Sequence, residues 1–109
     1  MKKHLFLAVL IGVAAAGCIG QQTENEQNNA TKTCINYCKH ILTSSANLTN
    51  GPCILDPIEE YPDWVCDVAH NPRQPVDNLP ENQCNAYSEG TAHRFIEVTP
   101  DCALIRTVG

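Results

Sequence analysis

Ala92-His-Arg-Phe-Ile-Glu-Val-Thr99 and Cys102-Ala-Leu-Ile-Arg-Thr-Val108 flank the pair Pro100-Asp101. Both runs are rich in β-branched and aromatic residues, and the pair between them is a turn former, so the stretch reads as an antiparallel hairpin. Alternation puts Phe95, Glu97 and Thr99 on one face and Ile96 and Val98 on the other. Upstream, Trp64-Val-Cys-Asp-Val68 reads as another strand, and Asn50-Gly51-Pro52 as a turn leading into Cys53-Ile54-Leu55. Three prolines within 71–80 exclude a regular helix or central strand over most of that segment. Pro80 suits the first turn of a short helix over 81–88, with Gly90 just past its end. Thr33 can cap a further helix from Cys34, which places Cys34, Cys38, Ile41 and Leu42 on one face. The expectation is a small α+β, disulfide-rich domain over residues 34–109. It has one or two short helices and a small antiparallel sheet that includes the C-terminal hairpin.

Composition explains why such a domain needs cross-links. The chain has 109 residues, 12 Asp+Glu against 7 Lys+Arg, a net charge of −5 and seven cysteines. Large aliphatic side chains are sparse after residue 17, near the level at which a chain fails to collapse alone. Acidic balance without clustered Lys or Arg argues against nucleic acid as a partner.

The first residues carry an address. Lys2 and Lys3 precede the apolar run 5–16, which is too short to cross a bilayer but suits the apolar part of an export signal. The run ends in Ala15-Ala16-Gly17-Cys18, which resembles a prokaryotic lipobox. That resemblance implies removal of residues 1–17 and a lipid on Cys18, with Ala15 standing where Leu or Val is commoner. Ala14-Ala15-Ala16 also fits the cleavage site of a soluble secreted or periplasmic protein. Residues 18–33 then hold the anchor and a polar stretch read as a disordered tether of roughly 20 Å.

Assigning Cys18 to lipid leaves Cys34, Cys38, Cys53, Cys66, Cys84 and Cys102, an even set that export would keep as disulfides. Nested pairing, Cys34–Cys66 and Cys38–Cys53, with Cys84–Cys102 closing the C-terminal half, is one arrangement the spacing allows. The segments Cys66-Asp-Val-Ala-His70-Asn-Pro-Arg73 and Cys84-Asn-Ala-Tyr87-Ser-Glu-Gly90 are similar to those of small cysteine-rich prokaryotic lipoproteins of archaeal type. This likeness implies no activity.

Each chemical motif has a plain structural reading beside it. Cys34-Ile-Asn-Tyr-Cys38-Lys-His40 has the wrong spacing for haem attachment and no second pair of close ligands for zinc, so neither metal nor cofactor is expected. His70 lies near Cys66 and Asp67, but a nucleophilic set requires a free thiolate, which a bridged Cys66 cannot supply. Arg73, in the proline-stiffened stretch 71–78, could anchor a binding loop at little entropic cost. Glu59-Glu60-Tyr61-Pro62-Asp63-Trp64 reads as a solvated acidic face, with Trp64 folding inward. Asn29 and Asn47 begin N-glycosylation patterns. No phosphate loop, serine elbow or assignable acid/base pair is present.

The leading expectation is a non-enzymatic module on the outer face of a cell membrane, anchored through Cys18 and binding a protein or cell-envelope ligand. A protease inhibitor acting through Arg73 is the alternative. A small thiol or metal protein built on cysteine and His70 is the third reading.

Overall fold

Helix α1 covers residues 24–43 in the structure, a computed structural model that describes residues 24–109. Its inward stripe is Gln27, Ala30, Thr31, Cys34, Ile35, Cys38 and Ile41, spaced three and four apart, with Ala30, Cys34 and Cys38 fully buried. Residues 24–33 are therefore helical rather than a disordered tether, and the expected boundary at 33/34 falls inside α1. Thr33 is no N-cap; its hydroxyl donates to the Asn29 carbonyl at 2.9 Å.

The physical reason for the longer helix is the cost of nucleation. Helices start with difficulty and propagate cheaply, and disulfides from Cys34 and Cys38 fix one turn of α1 against the domain. The upstream Glu, Gln and Ala residues then extend it, and Gln27 Nε2 donates to Thr107 Oγ1 at 3.0 Å. At its other end α1 closes with Ser45 at φ 71°. Ala46 N–H donates to the Ile41 carbonyl and Ser45 N–H to the Leu42 carbonyl, a Schellman closure. Leu42, expected on the buried face, is half-exposed.

Four strands follow: β1 (Cys53–Leu55), β2 (Trp64–Val68), β3 (Arg94–Val98) and β4 (Leu104–Val108). They pair in the order β1-β2-β3-β4, and β3–β4 is the expected C-terminal hairpin. The small disulfide-rich α+β domain is as expected, but the sheet is mixed, because β2 and β3 run parallel. Parallel neighbours require a long crossover. The segment 69–93 supplies it through 3-10 turns at Pro75–Asn78 and Pro80–Asn82 and one helical turn, α2 (Asn85–Ser88). A continuous helix over 81–88 does not form, since buried Cys84 sits extended at the N-cap of α2.

The sheet separates two clusters. Beneath α1 lie Ile58, Trp64, Cys66, Val68, Ile96 and Val98, all fully buried, with Leu48 and Cys102. On the opposite face Val65, Cys84, Ala86 and Ala92 pack with Cys53 and Phe95. This division also decides the disulfides. Cys34–Cys66 is as expected, whereas Cys38 bonds Cys102 and Cys53 bonds Cys84. Cys34 and Cys38, one turn apart, both point down onto the α1 side and take the two cysteines there. Cys53 pairs in register with Asp67, so it shares the far face, where the crossover brings Cys84.

Candidate cleft on the face opposite the helix

Strand register builds the site. Parallel pairing sets Asp67 beside Glu97, and the hairpin sets Glu97 opposite Arg106. A row of three charged residues thus crosses β2, β3 and β4 on the face away from α1. Two residues earlier along the strands stand Val65 and Phe95. The crossover adds Arg73, Gln83, Cys84 and Tyr87, and together these residues line a cleft of about 180 Å³.

Glu97, itself buried, is the electrostatic centre. Its Oε2 lies 2.8 Å from Arg73 Nη1 and its Oε1 2.6 Å from Arg106 Nε. Arg73 also donates from Nε to Asn78 Oδ1 at 2.8 Å and from Nη2 to the Asp77 carbonyl at 3.2 Å. The Arg106 guanidinium lies over Phe95, 5.3 Å from the ring centre, and Tyr87 meets Phe95 edge-on at 5.0 Å.

Asp67 is different. Only 8% of it is exposed, and its Oδ1 has no hydrogen-bond partner among the described residues. Burial first, and then the nearby charge of Glu97, push its carboxyl up to about 7 against the pull of Arg73. A buried polar atom without a partner is costly, so such an atom in a cleft wall points to something that completes it.

His70 and Arg73 are brought to one place, around Asp77 rather than around Cys66. Asp77 Oδ2 accepts from the backbone N–H groups of His70 and Gln74, each at 2.9 Å, and His70 Nδ1 lies 2.9 Å from Oδ1. Burial works against the charge of Asp77, but these donors prevail and hold its carboxyl below the usual range. Cys66 is bonded to Cys34, so the Cys66–Asp67–His70 set is not assembled for nucleophilic work.

The other sequence features have structural roles. Trp64 folds inward as expected, and Asp63 Oδ1 accepts from the His93 backbone N–H at 2.9 Å. Cys53, Asp56 and Cys84 lie close enough together to suggest a metal centre. Their two sulfurs are bonded to each other, however, and the Asp56 carboxylate accepts from Asn85 and Ala86 N–H at 2.8 Å, capping α2. Asn29 is exposed on α1. Asn47 is exposed in the following turn, where its Oδ1 accepts from Thr49 N–H at 3.0 Å. Cys18 lies outside the described residues.

Sequence reasoning grouped Phe95 with Glu97 but missed Asp67, Arg106 and Tyr87 as neighbours. A usable signal existed, since Asp67 and Glu97 are each the single carboxylate of a mostly apolar strand.

The two carboxylates set opposite pH dependences. Asp77, with a depressed pKa, contributes stability that is present above the ordinary value of 3.8 and lost as pH falls through its folded value. Asp67, with a raised pKa, costs stability as pH rises from 3.8 toward about 7. Urea unfolding should therefore show a loss of about 2 kcal/mol between pH 5.5 and pH 8, and Asp67→Asn should flatten that slope.

No family model, curated protein or solved structure matches this chain. The three disulfides indicate an oxidising, extracytoplasmic environment. Among the described residues no helix is long and apolar enough to cross a membrane.

Proposed function

We propose that the chain is an extracytoplasmic binding module, held on the outer face of a membrane by lipid on Cys18, whose ligand occupies the cleft between the sheet and the crossover. The observation that carries this reading is the buried Asp67, its Oδ1 unpartnered, in a cleft lining that also holds two arginines and two aromatic rings. The lipobox-like ending at Cys18 supports the anchor. With α1 formed by residue 24, only residues 19–23 separate Cys18 from the folded domain, so the module would sit close to the bilayer surface.

The inhibitor reading through Arg73 has less support. A residue that enters a protease cleft must present a free head, and the Arg73 guanidinium is engaged by Glu97, Asn78 and Asp77.

Two measurements test the proposal. Intact mass of membrane-extracted protein should give a chain starting at a lipid-modified Cys18, with no thiol alkylated before reduction; an unmodified Cys18 overturns the anchor. A thermal-shift screen of small charged and polar compounds should find stabilising ligands whose effect is lost in Phe95→Ala. Ligands indifferent to that change, or none at all, overturn the cleft as the binding site.

A further inference from the structure

We infer that the cleft takes a small organic carboxylate, its oxygens shared between the Asp67 carboxyl and the Arg106 guanidinium and its apolar body lying along Phe95 and Tyr87. This rests on the binding reading above and names the ligand class for the same site.

Charge balance argues for an anion. Among the residues that line the cleft, Glu97 is one fixed negative charge against the two positive charges of Arg73 and Arg106, the ionised Asp77 standing outside that lining. While Asp67 is neutral, the cleft carries one unmatched positive charge in a chain of net charge −5. Hydrogen-bond supply argues likewise. Arg73 spends donors on Glu97, Asn78 and Asp77, whereas Arg106 is bound through Nε alone and its side chain is 55% exposed. Its outer N–H groups form the fork that carboxylates fit.

Asp67 supplies the complementary half. Its carboxyl, when protonated, can donate to an anion oxygen; when ionised, it repels one. Other ligand classes fit less well. A cation would face two guanidinium groups, and a neutral polyol would leave the unmatched charge in place. Inorganic phosphate has no apolar body and makes no use of the aromatic walls.

Protonation of Asp67 should therefore gate binding. The groups around it are Glu97 on β3, Arg106 on β4, Arg73 and Asp77 on the crossover and Tyr87 on α2. His70 is hydrogen-bonded to Asp77, and opposite Asp67 on β1 stands the bridged Cys53.

The test is calorimetric titration of the full lipidated chain in detergent with benzoate, which is ionised throughout, at pH 5.5 and pH 8. Benzamide and inorganic phosphate are the counter-probes. Benzoate should bind about tenfold more weakly at pH 8, following the neutral fraction of Asp67. Asp67→Asn, which keeps a donor at every pH, should bind benzoate equally at both; a contribution from His70 would persist in that variant. Arg106→Gln, a change at a half-exposed side chain, should lose about tenfold at pH 5.5. Phosphate binding in place of benzoate overturns the inference, as does benzoate affinity indifferent to pH and to both variants. Benzamide binding without benzoate binding overturns the carboxylate assignment but leaves a ligand cleft standing. Silence from all three probes and from the wider screen removes both readings.

Discussion

Reduction of the three disulfides at neutral pH should unfold the domain without heat or denaturant. A described chain of 86 residues has a total stability of about 4–13 kcal/mol by the usual per-residue range. The disulfides close loops with separations of 32, 64 and 31 residues, and each such loop restricts the unfolded chain by about 3–4 kcal/mol. The loops overlap, so these values do not simply add, yet together they match or exceed the whole stability. The apolar core cannot replace them. Beneath α1 it holds one Trp and a few aliphatic residues, and three of its fully buried members are themselves half-cystines. Circular dichroism should show loss of sheet and helix signal as all six cysteines become alkylatable. Cys38→Ala with Cys102→Ala isolates the longest loop and should cost about 4 kcal/mol, or roughly 20 °C in Tm. A reduced protein that kept its signal would mean that the core alone suffices.

What the sequence could and could not disclose follows from the range of each interaction. The C-terminal hairpin is local, and its alternation put Phe95 and Glu97 on one face as found, with β2 also where the apolar run placed it. Disulfide partners are non-local. Whether Cys53 faces α1 depends on the β1–β2 register, which carries an irregularity between Cys53 and Leu55. Nothing within either segment fixes that. The parallel β2–β3 pair likewise depends on where the proline-rich crossover delivers the chain. The cleft inherits both uncertainties, because Asp67, Glu97 and Arg106 become a row only once the order β2-β3-β4 is known. Helical structure in residues 24–33 escaped for another reason. Its composition is polar, and its helicity is supported by cross-links several residues further on.

Gly51→Ala should cost about 3 kcal/mol, and most of that cost should disappear when Asp77 is also replaced by Ala. Gly51 has φ 67°, a conformation that L side chains rarely adopt. An added Cβ would also meet Asp77 Oδ1 more closely than real Cβ atoms approach a neighbour, with the Val68 carbonyl oxygen at 3.1 Å on another side. The carboxylate cannot yield cheaply, since it is buried and holds the N–H groups of His70 and Gln74. Asp77→Ala alone strands those donors and should cost about 3 kcal/mol. In that background the new methyl at residue 51 keeps the backbone penalty of about 1 kcal/mol and the close Val68 carbonyl oxygen but loses the clash with the carboxylate, which leaves a coupling of about 2 kcal/mol between the sites. Urea unfolding of the four proteins at pH 6 measures the cycle. Strictly additive costs would mean that the 51 turn moves aside independently of Asp77. A coupling of the expected size would mean that the β1 turn and the crossover form one unit, so that the position of Arg73 beside Glu97 depends on a glycine that never touches the cleft.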